Sequence, residues 1–146
     1  MSLQQQLSEL KTNIKAEISE EVLQIFDESI QALYESGMAI QAPQVGDEFN
    51  NFVLSNQLGQ QISQVELRNS GPVVMVFYRD GLCPYCNLEL RVHQQIVHQL
   101  KAAGDQLVAI TPEWQDSSLS TIEKNEPECE ILSNIGAEYT RKIDMN

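Results

Sequence analysis

Two cysteines three residues apart are the side chains of this sequence most able to do chemistry. They stand in the stretch Phe77-Tyr78-Arg79-Asp80-Gly81-Leu82-Cys83-Pro84-Tyr85-Cys86. A thiolate attacks a disulfide or a peroxide, and a nearby second thiol captures the product as an intramolecular disulfide. That chemistry needs the first sulfur held as an anion. Cys83 is placed to be the N-cap of a helix, with Pro84 at the first helical position, where a missing N–H costs nothing. The unpaired N–H groups and the positive dipole end of that helix favour a thiolate at Cys83. Cys86 falls one turn further on, within reach of Cys83. The same spacing has two other readings. Cys-x-x-Cys is half of a zinc site, but zinc takes four ligands. Cys129 and the histidines would have to supply the rest, and His93 and His98, five apart, diverge by about 140° round a helix. Two cysteines of a plain core are the third reading. The strand-to-helix placement favours the redox one.

The elements that must position this motif are legible in the hydrophobic pattern. Val73-Val74-Met75-Val76-Phe77-Tyr78 is continuously apolar and β-prone, as expected of a strand buried on both faces. A helix from about Pro84 to Ala103 follows, with Leu88, Val92, Ile96 and Leu100 recurring every four residues and Gly104 ending it. Leu107-Val108-Ala109-Ile110 reads as a second buried strand. Strand, helix and strand make a βαβ unit, expected to be parallel and right-handed. Before it, Phe52, Leu54, the turn signal Asn56-Gln57-Leu58-Gly59, Ile62 and Val65 read as two short strands joined by a hairpin. After it come a short helix over 118–125, a third strand at Cys129-Glu130-Ile131-Leu132 and a terminal helix from Gly136 to Ile143.

Residues 2–37 read as two helices. Leu3, Leu7, Leu10 and Ile14 share one face, and Ser2 with Gln5 fits a capping box. Ser19 is placed to cap the second helix, with Val22, Phe26, Ile30 and Leu33 along it and Gly37 as its stop. A linker at Pro43–Gly46 then divides an N-terminal helical extension, residues 1–42, from a domain of residues 43–146.

Composition narrows the function. The 146 residues carry 9 Lys+Arg against 21 Asp+Glu, a net charge of −12. An acidic chain is a poor match for nucleic acid or for an anionic membrane surface. No apolar run approaches the roughly 20 residues of a membrane span. The charge is uneven: residues 1–46 hold seven acids and two bases, residues 47–104 five and four, and residues 105–146 nine and three. The near-neutral middle carries the paired cysteines. Three cysteines do not make a disulfide framework, and no secretory signal is visible in the first residues, so a reducing cytoplasm is expected.

With these residues in view, the stretch from Val45 to about Ile143 resembles the peroxiredoxin-like branch of the AhpC/TSA (redoxin) family of the thioredoxin-fold superfamily. The resemblance rests on Val45-Gly46-Asp47 with Phe49 and Phe52-Val53-Leu54. It is strongest over Gly71-Pro72-Val73-Val74-Met75-Val76-Phe77-Tyr78-Arg79 and Cys83-Pro84-Tyr85-Cys86-Asn87-Leu88-Glu89-Leu90, and continues through Leu107-Val108-Ala109-Ile110-Thr111-Pro112 and 118–125. It implies an α/β, thioredoxin-like fold and thiol-dependent peroxidase or thiol–disulfide oxidoreductase activity. Cys83 is then the attacking thiol and Cys86 the resolving one, within an active-site loop of Arg79, Gly81, Leu82, Pro84 and Tyr85. The substrate is a peroxide or a disulfide, the reductant a thioredoxin-type or glutathione-type donor, and no metal, flavin or nicotinamide is called for.

The sequence departs from the family pattern in three ways. Leu82 stands where Trp is usual, and Val76 and Asp80 stand where Pro and Thr of the peroxiredoxin signature would precede Cys83. The chain also reaches Asn146 without a final β-hairpin and helix. An open sheet edge is therefore expected, and with it a homo-oligomer. A non-catalytic remnant or interaction module is the alternative function. Trp114 is a possible shelter for the site, though a loop aromatic is the plainer reading. Arg79 is the nearest cation in sequence, and Gly81 gives the loop its turn. Tyr85 is expected to tune access. Cys129, between Glu128 and Glu130, is expected to be structural, and His93 and His98 solvated.

Overall fold

A computed structural model describes residues 1–114 and 128–143 of the chain. The contacts divide it into two compact units, one of Met1–Phe49 with Thr140–Asn146, the other of Asn50–Tyr139. The expected helix over 118–125 lies outside the described residues.

The first unit holds α1 (Leu3–Glu17), α2 (Glu20–Glu35) and the short α3 (Met38–Gln41). Ser2 and Gln5 form the expected capping box: Ser2 Oγ accepts the Gln5 N–H at 3.3 Å and Gln5 Oε1 accepts the Ser2 N–H at 2.8 Å. Ser19 has the extended backbone of an N-cap, but its side chain makes no cap hydrogen bond. Glu20 and Glu21 still place negative charge on the first turn of α2. Gly37 adopts a left-handed conformation just past α2 and ends it. Val22, Phe26, Ile30 and Leu33 of α2 are exposed. No described helix is long and apolar enough to cross a membrane.

The second unit is built on a five-stranded sheet. Its strands are β1 (Val53–Asn56), β2 (Gln61–Ser63), β3 (Val73–Phe77), β4 (Gln106–Thr111) and β5 (Glu130–Ser133), in the spatial order β2-β1-β5-β4-β3. β3, β4 and β5 run parallel, with Phe77 opposite Ile110 and Ile110 opposite Leu132. β1 is antiparallel to both β2 and β5. The hairpin forms as expected, around a buried Asn56 whose Oδ1 accepts the N–H groups of Leu58 and Gln60. Val65, expected in a strand, sits instead in α4 (Gln64–Asn69), because β2 ends at Ser63.

The continuous apolar run at Val73–Phe77 also needs correction. Among the described residues β3 pairs only with β4, and Val74 is 38% exposed, so the strand is an edge and not a fully buried one. β4 lies inside the sheet between β5 and β3 and is buried over Leu107–Thr111. The helix α5 (Pro84–Ala103) connects β3 to β4, with the predicted bounds, and stops where Gly104 turns left-handed. Gly71, with φ of +145°, passes so close to that stop that a Cβ on it would run into the Gly104 carbonyl. Tyr78, Leu90, Ala109 and Ile131 form a buried cluster, with Cys86 and Cys129 packed against it. Burying side chains such as Leu90, Val97 and Ile131 contributes about 1.5–3 kcal/mol each. A 3-10 turn (Ile135–Ala137) and α6 (Glu138–Lys142) follow β5, in place of one continuous terminal helix. Tyr139 packs edge-on to Phe52, with ring centroids 5.2 Å apart, and its hydroxyl donates to the Asn50 carbonyl at 2.9 Å.

Candidate functional site

β3 delivers the chain to the C-terminal end of the parallel strands. Tyr78 extends the pairing by one bond, its N–H donating to the Ile110 carbonyl at 3.0 Å. The loop Arg79–Leu82 then turns into α5. Cys83 is the N-cap, with φ −72° and ψ 113°, and Pro84 occupies the first turn, as the sequence predicts. The Cys83 carbonyl accepts the Asn87 N–H at 3.1 Å, which closes that turn over Cys86. Both cysteines are free thiols and partly buried.

The loop is fixed by side chains on both flanks. Asp80 Oδ1 accepts the N–H groups of Leu82 at 2.9 Å and Cys83 at 2.8 Å. Asp80 Oδ2 pairs with Arg79 Nε at 2.9 Å. The Gly81 peptide is gripped at both ends: its N–H donates to Glu113 Oε2 at 3.2 Å, and its carbonyl accepts from Asn87 Nδ2 at 2.8 Å. Thr111 Oγ1 donates to the Arg79 carbonyl at 3.1 Å and accepts the Glu113 N–H at 3.3 Å. The end of β4 thus braces the loop that follows β3.

The two thiols are not equivalent. Burial is the main cause that pushes the Cys86 thiol up from its ordinary range. A hydrogen bond to the Cys83 side chain and the negative charge there add to it, while backbone amides of Arg79 and Asp80 act in the opposite sense. Cys86 is therefore the sulfur that keeps its proton. The expectation that helix amides would hold the Cys83 sulfur is not met: its side chain makes no cap hydrogen bond. The amides of Leu82 and Cys83, which precede the helix, go to Asp80.

The other sequence candidates differ in exposure and in partners. The Arg79 side chain is 72% exposed and ion-paired with Asp80, and the Cys83 charge favours its cationic form. Gly81 is buried, Pro84 and Tyr85 are exposed, and Leu82 projects at 81% exposure. Trp114 lies past the end of β4 and is 67% exposed. Cys129 is held as a thiol by burial, which pushes it up to about 11, more than by the neighbouring charge of Glu130. His93 faces Glu89 at 3.5 Å and His98 faces Glu128 at 3.2 Å. Among the described residues no three His, Cys, Asp or Glu side chains converge as a ligand set.

Sequence reasoning missed the framing residues Asp80, Asn87, Thr111 and Glu113. Asp80-Gly81 is a turn signal in its own right, since an Asp side chain takes the N–H two residues on. Glu113 leaves no local signal, because its partner is 32 residues away.

A dithiol at the junction of a parallel strand and the next helix, on this sheet order, defines a thioredoxin-fold thiol protein. Residues 45–146 match the AhpC/TSA family, and the chain belongs to it. Among solved structures the fold is similar to peroxidoxin BcpB from Mycobacterium tuberculosis, with a TM-score of 0.64, 21% identity, and 67% of this chain and 64% of that one covered. Xanthomonas campestris peroxiredoxin Q gives 0.58 and 19%, covering 64% of this chain and 58% of that one. A secreted Mycobacterium tuberculosis disulfide oxidoreductase homologous to E. coli DsbE gives 0.54 and 18%, covering 62% and 66%. The chain thus spans 58% to 66% of the length of these three. A search of curated proteins found no match.

Proposed function

We propose that this chain is a thiol oxidoreductase in which Cys83 attacks and Cys86 resolves. The supporting observation is the asymmetry of the pair: a Cys86 thiol packed on the core and kept neutral, facing the Cys83 sulfur across the first turn of α5. With a disulfide R–S–S–R′, the Cys83 thiolate bonds to one sulfur and R′–S⁻ leaves, taking a proton from water. Cys86 gives its proton to solvent and attacks the Cys83 sulfur, and R–S⁻ leaves. The protein gives up two electrons and the substrate gains them. A thioredoxin-type or glutathione-type thiol donor then reverses the change on the protein.

Membership of the AhpC/TSA family favours a second substrate, a peroxide. The Cys83 thiolate would take the terminal oxygen, releasing hydroxide or alkoxide and leaving a sulfenic acid. The Cys86 thiol would condense with it, releasing water. The disulfide is the reading we favour. Asp80, three residues before Cys83, is ion-paired and accepts hydrogen bonds, so it offers no hydroxyl to a departing oxygen.

The same reading places the chain in the cytoplasm, on its sparse and odd cysteine count. It also includes assembly of copies along β3, whose outer side has no partner strand among the described residues. A monodisperse monomer in light scattering rejects that part. The activity is tested by mixing the reduced protein with oxidised glutathione and, separately, with hydrogen peroxide. Exchange with the disulfide is expected, absent in Cys83→Ser and stalled as a mixed disulfide in Cys86→Ser. Faster consumption of peroxide would select the second substrate. Reaction with neither would leave a non-catalytic module.

A further inference from the structure

The loop that leads into Cys83 is organised around one carboxylate. The N–H groups of Leu82 and Cys83 both donate to Asp80 Oδ1. The nearest cation in sequence, Arg79, is also engaged, through Asp80 Oδ2 at 2.9 Å. Asp80 therefore engages the guanidinium that would otherwise offset a negative charge at Cys83. It also adds a second negative charge at the N-terminal end of α5, where the sulfur's own charge would sit.

From this arrangement we infer that Asp80 is a positioning residue that sets the stability of the Cys83 thiolate, and through it the reduction potential of the Cys83–Cys86 pair. The inference deepens the proposed thiol chemistry and rests on it. Reduction of the pair is disulfide + 2e⁻ + H⁺ → Cys83–S⁻ + Cys86–SH. Whatever stabilises the thiolate on the right makes the protein a stronger oxidant, and whatever destabilises it makes the protein a stronger reductant. Asp80 acts in the second direction. It makes the dithiol readier to give electrons, and it lowers the fraction of Cys83 present as the nucleophile.

The test separates charge from scaffold. In Asp80→Asn the side-chain oxygen still accepts both amides, while the charge is gone and Arg79 is freed. In Asp80→Ala the amides are freed as well. Each protein, with its fold checked by circular dichroism, is equilibrated in glutathione buffers of stepped composition. The oxidised and reduced forms are counted by mass spectrometry, and the alkylation rate of Cys83 is read at pH 7. Asp80→Asn is expected to shift the equilibrium toward the dithiol by about 3- to 10-fold and to speed alkylation of Cys83 by a similar factor, as removal of one charge at this range should. Asp80→Ala is expected to shift at least as far. No shift in Asp80→Asn, or a shift in Asp80→Ala alone, would overturn the inference, since Asp80 would then be only a scaffold. If the wild-type protein forms no reversible Cys83–Cys86 disulfide, the redox reading itself fails and this inference falls with it.

Discussion

Asp80 Oδ1 stands 2.8 Å from the amide nitrogen of Cys83, so a carboxylate is anchored to the residue whose sulfur is to carry the charge. The loop is ordered at the cost of a second negative charge beside the thiolate. Arg79 offsets part of that cost, since its guanidinium neutralises Asp80 and lies within the field of Cys83. Arg79→Gln should therefore slow alkylation of Cys83 at pH 7 by about 2- to 5-fold at low ionic strength, with the difference shrinking in salt. An unchanged rate at low salt would contradict this.

The two active-site thiols should separate clearly. Burial and the adjacent Cys83 charge raise Cys86, so it stays protonated above the pH at which an ordinary thiol ionises. Only the thiolate alkylates. At pH 7 to 8, Cys83 should react with iodoacetamide about tenfold faster than Cys86, resolved by peptide mass spectrometry. Equal rates would remove the asymmetry on which the assignment of roles stands.

Cys129 has a stability consequence with a definite sign. Its folded-state value is pushed up to about 11 from 9.0, chiefly by burial. The neutral thiol therefore contributes stability that is complete below about pH 9 and is lost as pH rises through about 11. Urea denaturation at pH 8 and pH 11 should show a loss of about 2 to 3 kcal/mol in the wild type that is absent from Cys129→Ala. The same loss in both proteins would assign it elsewhere.

Gly71 tests the close approach of the start of β3 to the end of α5. Its positive φ is strained for any other residue, and a Cβ would meet the Gly104 carbonyl. Gly71→Ala should lower the unfolding free energy by about 1 to 3 kcal/mol, read from the urea midpoint. An unchanged midpoint would show that the backbone yields there.

Glu113 braces Gly81 from across the sheet end. Glu113→Ala should cost about 1 to 3 kcal/mol through loss of the hydrogen bond from the Gly81 N–H, and Glu113→Gln, which keeps an acceptor oxygen, should recover most of it. If Gln is as damaging as Ala, the hydrogen bond is not what the residue supplies.

The sequence made the βαβ unit legible because its signals are local and agree with one another. The four-residue spacing of Leu88, Val92, Ile96 and Leu100, Pro84 at the start and Gly104 at the stop place α5 at its observed bounds. The cysteine pair was legible for the same reason. What escaped were long-range facts. Val65 is apolar in either a strand or a helix, and only the end of the β1–β2 pairing at Ser63 decides between them. The apolar run of β3 reads as doubly buried, yet strand order leaves it at an edge. The role of Asp80 was also hidden, because its acceptance of the Leu82 and Cys83 N–H groups is a loop contact that helix periodicity does not report.

On the proposed function, Cys83 and Cys86 form a reversible disulfide, with Cys83 as the attacking sulfur. The most direct measurement is mass spectrometry of the protein titrated with oxidised and then reduced glutathione, alongside Cys83→Ser and Cys86→Ser. The wild type should lose two hydrogens and regain them, with the linkage mapped to Cys83 and Cys86. Glutathione should remain bound at Cys83 only in Cys86→Ser. Persistent free thiols in the wild type, or stable glutathione adducts on Cys86 in place of Cys83, would contradict it.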